Sequence, residues 1–118
     1  MSTTPSTAAV LEALYATLQA RKGAEPSTSY VASLYAKGPD AILKKIGEEA
    51  AETIIAAKDA ASGNADQRVK LVHEVADLWF HVMVLLAAYD VPLTALTDEL
   101  ARRTGRSGHD EKASRGAH

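Results

Sequence analysis

The stretch from Val75 to Tyr89 is apolar on nearly every side of the helix that its spacing predicts. Its large apolar side chains leave no polar stripe to face water: Leu78, Trp79, Phe80, Val82, Met83, Val84, Leu85 and Leu86. A helix that is apolar all round has to be covered all round. A chain of 118 residues builds one modest core and can hardly supply that cover alone. We therefore expect a homodimer in which helical hairpins from two chains pack as a four-helix bundle.

Apolar residues recur at helical spacing in five segments, and no segment shows the alternation of a strand. The expected helices cover about residues 6–22, 30–36, 40–61, 66–89 and 93–104. Asp40 and Asp66 are the expected N-caps of the two long helices, and Gly63 lies in the turn between them. We expect a single all-α domain over residues 1–118, with flexible ends at 1–6 and 106–118.

Composition excludes several classes of function. The net charge of −2 gives no basic field for nucleic acid or an acidic membrane surface. The absence of cysteine excludes disulfides and thiolate metal sites. The N-terminus has no positive charge before Arg21, unlike a signal peptide, and the run from Leu78 to Tyr89 is shorter than the ~20 residues of a membrane span. We expect a soluble cytoplasmic protein.

Each long helix carries a pair of acidic residues three positions apart, Glu49 with Glu52 and Glu74 with Asp77. Side chains three apart lie on one side of a helix. The midpoint between the two pairs is Gly63, so a hairpin that folds about this glycine brings both pairs to the same height. That height is about 18 Å from the turn, at ~1.5 Å per residue.

Four converging carboxylates are stable at neutral pH if a cation lies among them or if some are protonated. Oxygen ligands without His or Cys suit a hard cation, Mg²⁺ first and Mn²⁺ second. The alternative is that these acids are solvated charges paired with nearby lysines. Lys45 and Lys70 each lie one turn before an acidic pair, where they can hold a phosphate chain. The chemistry indicated is metal-dependent hydrolysis of a polyphosphate.

The order of these motifs resembles a known family. Glu48-Glu49-Ala-Ala-Glu52 followed by Glu74-Val-Ala-Asp77 resembles the acidic motif of the all-α nucleoside triphosphate pyrophosphatases, the MazG-like superfamily. Within it, the chain is similar to the phosphoribosyl-ATP pyrophosphatases of histidine biosynthesis. Four stretches carry that likeness: SYVASLYAKG, ILKKIGEEAAETIIAAK, HEVADLWFHVMVLLA and SGHDEKASR.

The resemblance implies hydrolysis of 1-(5-phosphoribosyl)-ATP to 1-(5-phosphoribosyl)-AMP and pyrophosphate, the second step of that pathway. It implies a metal site at the four matching acids, Glu49, Glu52, Glu74 and Asp77. Glu48 is a further acid that can accept a proton from the attacking water or orient a ligand. The candidate catalytic residues are therefore Glu48, Glu49 and Lys45. One departure is Val31, where the family has Thr, so a hydroxyl role at that position is missing.

Several side chains are candidates for binding substrate phosphates: Lys45, Lys70, His81, Arg102, Lys112 and Arg115. For His81 the alternative is a buried, hydrogen-bonded histidine, and for the last three a helix end and a loose tail. Trp79 and Phe80 are expected in the core rather than stacked on adenine.

Two other functions remain open. One is a MazG-like pyrophosphatase that acts on dUTP or non-standard nucleotides. The other is a non-catalytic helical dimerisation module, whose melting temperature Mg²⁺ would not change.

Overall fold

The computed structural model describes residues 4–105 and contains five α-helices. They are α1 (Thr7–Ala20), α2 (Tyr30–Lys37), α3 (Pro39–Ala60), α4 (Ala65–Ala88) and α5 (Leu93–Thr104). No strand occurs within residues 4–105. The all-α prediction is confirmed, whereas predictions for residues 1–3 and 106–118 lie outside the described residues.

Both predicted N-caps of the long helices were wrong by two residues. α3 begins at Pro39 after Gly38, and Asp40 lies inside its first turn. Proline suits this position because its missing N–H would be unpaired there anyway. α4 begins at Ala65, where Asn64 Oδ1 accepts a hydrogen bond from the Asp66 N–H at 2.8 Å. An N-cap residue must precede the first turn of its helix. Asn64 does so and caps α4, whereas Asp66 lies inside that first turn.

Gly38 joins α2 to α3 with φ 95° and ψ 177°, a region that is essentially restricted to glycine. Substitution of Gly38 by Ala is expected to lower the free energy of unfolding by about 1–3 kcal/mol. A Cβ would meet no atom within 4 Å there, so the cost is conformational. Denaturant unfolding measures it.

The matched control is Gly47→Ala, inside α3, where a Cβ also meets open space and φ is not positive. Alanine there is expected to raise stability by up to about 1 kcal/mol. Equal losses in both variants would contradict the argument from backbone conformation.

α3 and α4 form the most extensive helix pair, an antiparallel hairpin. Its turn contains Gly63 at φ 85°. α1 packs against α4, and α2 packs against α3. The buried core lies at the end of the hairpin remote from Gly63, where the first turns of α3 meet the last turns of α4: Leu18, Val31, Leu34, Ile42, Met83, Val84 and Ala87.

The part of the hairpin from Ile54 on α3, round the turn, to Trp79 on α4 carries several exposed large apolar side chains, here called the apolar patch. Its members are Ile54, Ile55, Val69, Val72 and Trp79. Trp79, which was expected in the core, is 56% exposed in the single chain. It stays largely exposed because α4 is apolar on more sides than the neighbouring helices cover.

α4 is long and apolar enough to meet the criteria of a membrane span over residues 65–88. The core helix of a soluble protein meets the same criteria, so length and composition do not decide between them. α4 carries Glu74 and His81, both buried against neighbouring helices. Ionisable groups are rare in spanning segments, so the helix has no clear membrane character.

Candidate functional site

Three carboxylates from the two long helices meet in the middle of the hairpin. One oxygen from each of Glu49, Glu74 and Asp77 lies within 4.8 Å of the other two. Thr53 ties the helices together at this level, since its Oγ1 lies 2.8 Å from the Glu49 carbonyl and 3.2 Å from the Glu74 carbonyl. The hairpin that turns at Gly63 therefore brings one member of the first acidic pair beside both members of the second.

Two of these carboxylates are deeply buried. Glu49 is 6% exposed and Glu74 is 9% exposed. The Oε2 atom of each is buried without a hydrogen-bond partner among the described residues. A buried carboxylate oxygen without a partner is costly, and two of them close together also repel each other. A divalent cation would satisfy both oxygens, and an all-oxygen donor set fits a hard ion.

Glu52, the fourth predicted ligand, is exposed and lies outside this group. A residue three positions further along a helix is rotated by about 60° from the first. Glu49 points into the hairpin, and that rotation carries Glu52 towards solvent in the single chain. Its role as a ligand stays a prediction.

Lys45 lies beside the cluster, one turn before Glu49 on α3. Its Nζ is 3.4 Å from Glu48 Oε2 and 3.5 Å from Glu49 Oε1. The hydrogen bond with Glu48 is the main cause of a raised pKa at Lys45, so the amine is charged at neutral pH. Glu48 is accordingly a half-exposed acid held by Lys45 at the edge of the site.

His81 is 6% exposed and hydrogen-bonded through both ring nitrogens. Its Nδ1 lies 2.8 Å from the Asp77 carbonyl and its Nε2 lies 2.8 Å from the Tyr30 hydroxyl. A carbonyl only accepts, so Nδ1 carries the hydrogen, and in the neutral ring Nε2 accepts from Tyr30. The buried, hydrogen-bonded histidine is thus what the single chain shows, next to the acidic cluster rather than remote from it.

Tyr30, for which the sequence suggested a packing aromatic or a nucleotide contact, reaches the site through His81. Burial raises the pKa of its phenol, Lys45 lowers it, and Glu49, Glu48 and Asp77 raise it. Its partner His81 lies 51 residues away in the sequence. No spacing rule links residues so far apart; the only signal was Ser29, whose side chain caps α2 by accepting from the Ala32 N–H and so places Tyr30 at its first position.

The other candidate residues lie at varied distances from the cluster. Lys70 is exposed on α4, one turn before Glu74. His73 is exposed, and its Nε2 lies 3.3 Å from Asp77 Oδ2. Phe80 is partly buried and packs edge-on against His81.

Arg102 lies near the end of α5 and donates from Nε to Glu99 Oε2 at 3.0 Å. Hydrogen bonds from Arg102 and Arg103 lower the pKa of Glu99 to about 2. Lys112 and Arg115 lie outside the described residues.

The arrangement combines an acidic cluster that fits a divalent ion with a charged lysine, an edge carboxylate and a histidine–tyrosine pair. A metal held by carboxylates can bridge to phosphate oxygens, which an acidic site alone would repel. Lys45 can bind another phosphate oxygen, and Glu48 at the edge of the cluster can accept a proton. These are the parts that hydrolysis of a phosphoric anhydride needs.

Comparison with known proteins agrees with this chemistry. The profile of the family described as Phosphoribosyl-ATP pyrophosphohydrolase matches residues 11–104. A protein of Cupriavidus metallidurans named phosphoribosyl-ATP pyrophosphatase is 57% identical over 120 aligned positions, covering 98% of each chain. Proteins of the same name from Hydrogenovibrio crunogenus and Ralstonia nicotianae are 59% and 58% identical, and each alignment covers 83% of this chain and 85% or 83% of the relative. The family resemblance is thereby confirmed: the chain belongs to the phosphoribosyl-ATP pyrophosphohydrolase family.

Proposed function

We propose that this chain hydrolyses 1-(5-phosphoribosyl)-ATP to 1-(5-phosphoribosyl)-AMP and pyrophosphate, the second step of histidine biosynthesis, in the cytoplasm. The names of its relatives support the reaction and the substrate. The observation that carries the proposal is the cluster of Glu49, Glu74 and Asp77, with its two buried oxygens that lack partners. Residues 1–118 act in this proposal as one domain.

Mg²⁺ is the proposed cofactor, with Mn²⁺ as a possible substitute, because the donors are carboxylate oxygens only. Glu49, Glu74 and Asp77 would hold it, and Glu52 would join them by a change of side-chain rotamer. When bound, such an ion lowers the pKa of a coordinated water and offsets the charge of the phosphates.

The chain's own residues bind the phosphates and move the proton. Lys45 binds a phosphate oxygen, which loosens its contact with Glu48. Glu48 then accepts the proton that the attacking water loses, since it is the acid at the edge of the cluster with access to solvent. The water oxygen forms the new bond to phosphorus, the anhydride bond between the α and β phosphates breaks, and pyrophosphate leaves.

The remaining candidate residues also take part in substrate binding in the proposal. Lys70 extends the cationic side of α4 towards the leaving pyrophosphate. His81 orients the Asp77 segment through its backbone and the phenol of Tyr30 through Nε2. Arg102, Lys112 and Arg115 bind substrate phosphate from the C-terminal part of the chain.

We also propose that the active form is a homodimer in which the apolar patch of one chain packs on that of the other. Five exposed large apolar side chains between Ile54 and Trp79 exceed the scattered exposure that is normal for a monomer. Their burial between two hairpins completes a four-helix bundle.

The test of the function is pyrophosphate release from phosphoribosyl-ATP, measured with and without Mg²⁺, with ATP as the control substrate. We expect turnover with phosphoribosyl-ATP and Mg²⁺, loss of turnover in EDTA, and recovery when Mg²⁺ or Mn²⁺ is restored. Equal rates with ATP would instead indicate a pyrophosphatase of broader range. No turnover of either substrate would reject the enzymatic proposal.

A further inference from the structure

A pocket opens on the side of Tyr30 that faces α1. Its walls come from the end of α1, the loop between α1 and α2, the start of α2 and the middle of α4: Leu18, Arg21, Thr28, Ser29, Tyr30 and Phe80 among others. Its volume is about 460 Å³, within the roughly 300–1,000 Å³ of small-ligand sites. Half of the wall is polar, unlike the apolar groove beside Trp79.

Arg21 is the charged residue of this wall, and its side chain makes no ion pair or hydrogen bond within residues 4–105. Two other cations are engaged in ion pairs: Lys45 with Glu48 and Glu49, and Lys22 with Asp90. A guanidinium offers five donors in a planar fork that matches phosphate. The wall therefore holds an uncommitted phosphate-binding group.

The hydroxyl of Ser29 adds a second donor. Its Oγ accepts from the Ala32 N–H at 3.1 Å, so its hydrogen remains free to donate into the pocket. The hydroxyl of Thr28 already donates to the Glu25 carbonyl. Arg21 and Ser29 thus supply the donors that an anion in this pocket would need.

Tyr30 forms the partition between this pocket and the acidic cluster. Tyr30 lines the pocket. Its hydroxyl contacts His81, whose other ring nitrogen is bonded to the Asp77 backbone. A ligand that has its anhydride at the acidic cluster and its other end beside Arg21 would have to extend past Tyr30.

The substrate of the proposed reaction has that shape. Phosphoribosyl-ATP carries a triphosphate at one end and a single phosphate, on its second ribose, at the other. We propose that the Arg21 pocket binds this second-ribose phosphate, with Arg21 as the residue that distinguishes phosphoribosyl-ATP from ATP. This assignment rests on the proposed function, because ATP and other nucleoside triphosphates lack the group.

The test pairs a variant with a truncated substrate. Arg21→Gln is expected to raise KM for phosphoribosyl-ATP by roughly 10- to 100-fold, the value of one charge-assisted hydrogen-bonded contact, with kcat nearly unchanged. In the wild type, N1-ribosyl-ATP, which lacks the second-ribose phosphate, is expected to show the same loss. In Arg21→Gln the truncated substrate should lose little further, because only the weaker contact with the Ser29 hydroxyl remains to be removed.

Arg68→Gln is the matched control, an exposed arginine near the start of α4 that lines no part of the pocket. It is expected to keep the wild-type KM for both substrates. Arg21→Lys is expected to restore part of the affinity, because it keeps the charge and loses the fork. Circular dichroism checks that each variant is folded.

The outcomes separate the two proposals. If Arg21→Gln leaves KM unchanged, or weakens both substrates equally, the pocket does not bind the second-ribose phosphate and the assignment is overturned while the reaction stands. If the wild type does not turn over phosphoribosyl-ATP, the proposed function fails and this assignment fails with it.

Discussion

Replacement of Glu49 by Gln is expected to lower kcat/KM for phosphoribosyl-ATP by about 10³-fold or more, with the fold retained. The variant removes one negative charge from a buried cluster and keeps the shape of the side chain. Loss of one group that stabilises charge in a transition state costs about 10²–10³-fold. Weaker metal binding adds to that loss at limiting Mg²⁺. Steady-state pyrophosphate release at several Mg²⁺ concentrations measures the effect.

Thermal unfolding of the same variant gives an independent readout. A ligand that binds only the folded state stabilises it by about 2.7 kcal/mol at 100 times its dissociation constant, a shift of several degrees for a domain of this size. Wild-type protein is expected to show this rise with Mg²⁺, and Glu49→Gln to lose most of it. Without Mg²⁺ the variant should melt no lower than wild type, because one of two mutually repelling buried carboxylates is gone.

Glu12→Gln is the control, since Glu12 is exposed on α1 and remote from the cluster. It should behave as wild type in both measurements. Full activity in Glu49→Gln, or an unchanged melting temperature on addition of Mg²⁺ to wild type, would count against the metal site and favour solvated surface charge.

Replacement of Val72 by Glu is expected to shift the proposed homodimer to monomers at micromolar concentration. Val72 lies in the apolar patch and is 69% exposed in the single chain. In a symmetric dimer each substitution occurs twice. Burial of an unpaired polar group costs about 2 kcal/mol or more each time, so the dissociation constant should rise by about 10³-fold or more. Sedimentation equilibrium or light scattering reports the mass.

Val10→Glu provides the comparison, because Val10 is also an exposed apolar residue but lies on α1, outside the apolar patch. It should remain a dimer with wild-type stability. A wild type that is monomeric at micromolar concentration would reject the dimer, and a dimer that tolerates Val72→Glu would place the interface elsewhere.

The positions of the two acidic pairs along the axis of the hairpin could be predicted from the residue numbers. An antiparallel hairpin with a tight turn relates residues at equal distances from that turn, and Gly63 marked it. Glu49, Glu74 and Asp77 accordingly meet. The inward or outward direction of each acid was harder to predict, since a rotation of about 60° separates Glu49 from Glu52. Which side of α3 faces α4 depends on how all helices pack.

The helix starts show the limit of local signals. Two good N-cap residues, Asn64 and Asp66, stand within three positions, and both Asp40 and Pro39 favour the start of α3. The choice between them depends on where the preceding turn ends, which the conformations of Gly38 and Gly63 decide. Helix propensity therefore predicted where the two long helices lie, but it did not determine the residue at which each of them begins.

The amino-acid sequence alone determined the all-α class, the hairpin about Gly63, the shared height of the acids and the family, because each depends on periodicity, spacing or motif order along one chain. Only the tertiary structure decided that Tyr30 reaches His81, that Glu52 stays outside the buried cluster and that Arg21 lines a pocket without a side-chain partner among residues 4–105. Those facts depend on contacts between helices far apart in sequence and on side-chain directions that spacing does not determine. These contacts form when α1 and α2 pack against the hairpin. Local propensity along the sequence does not predict that packing.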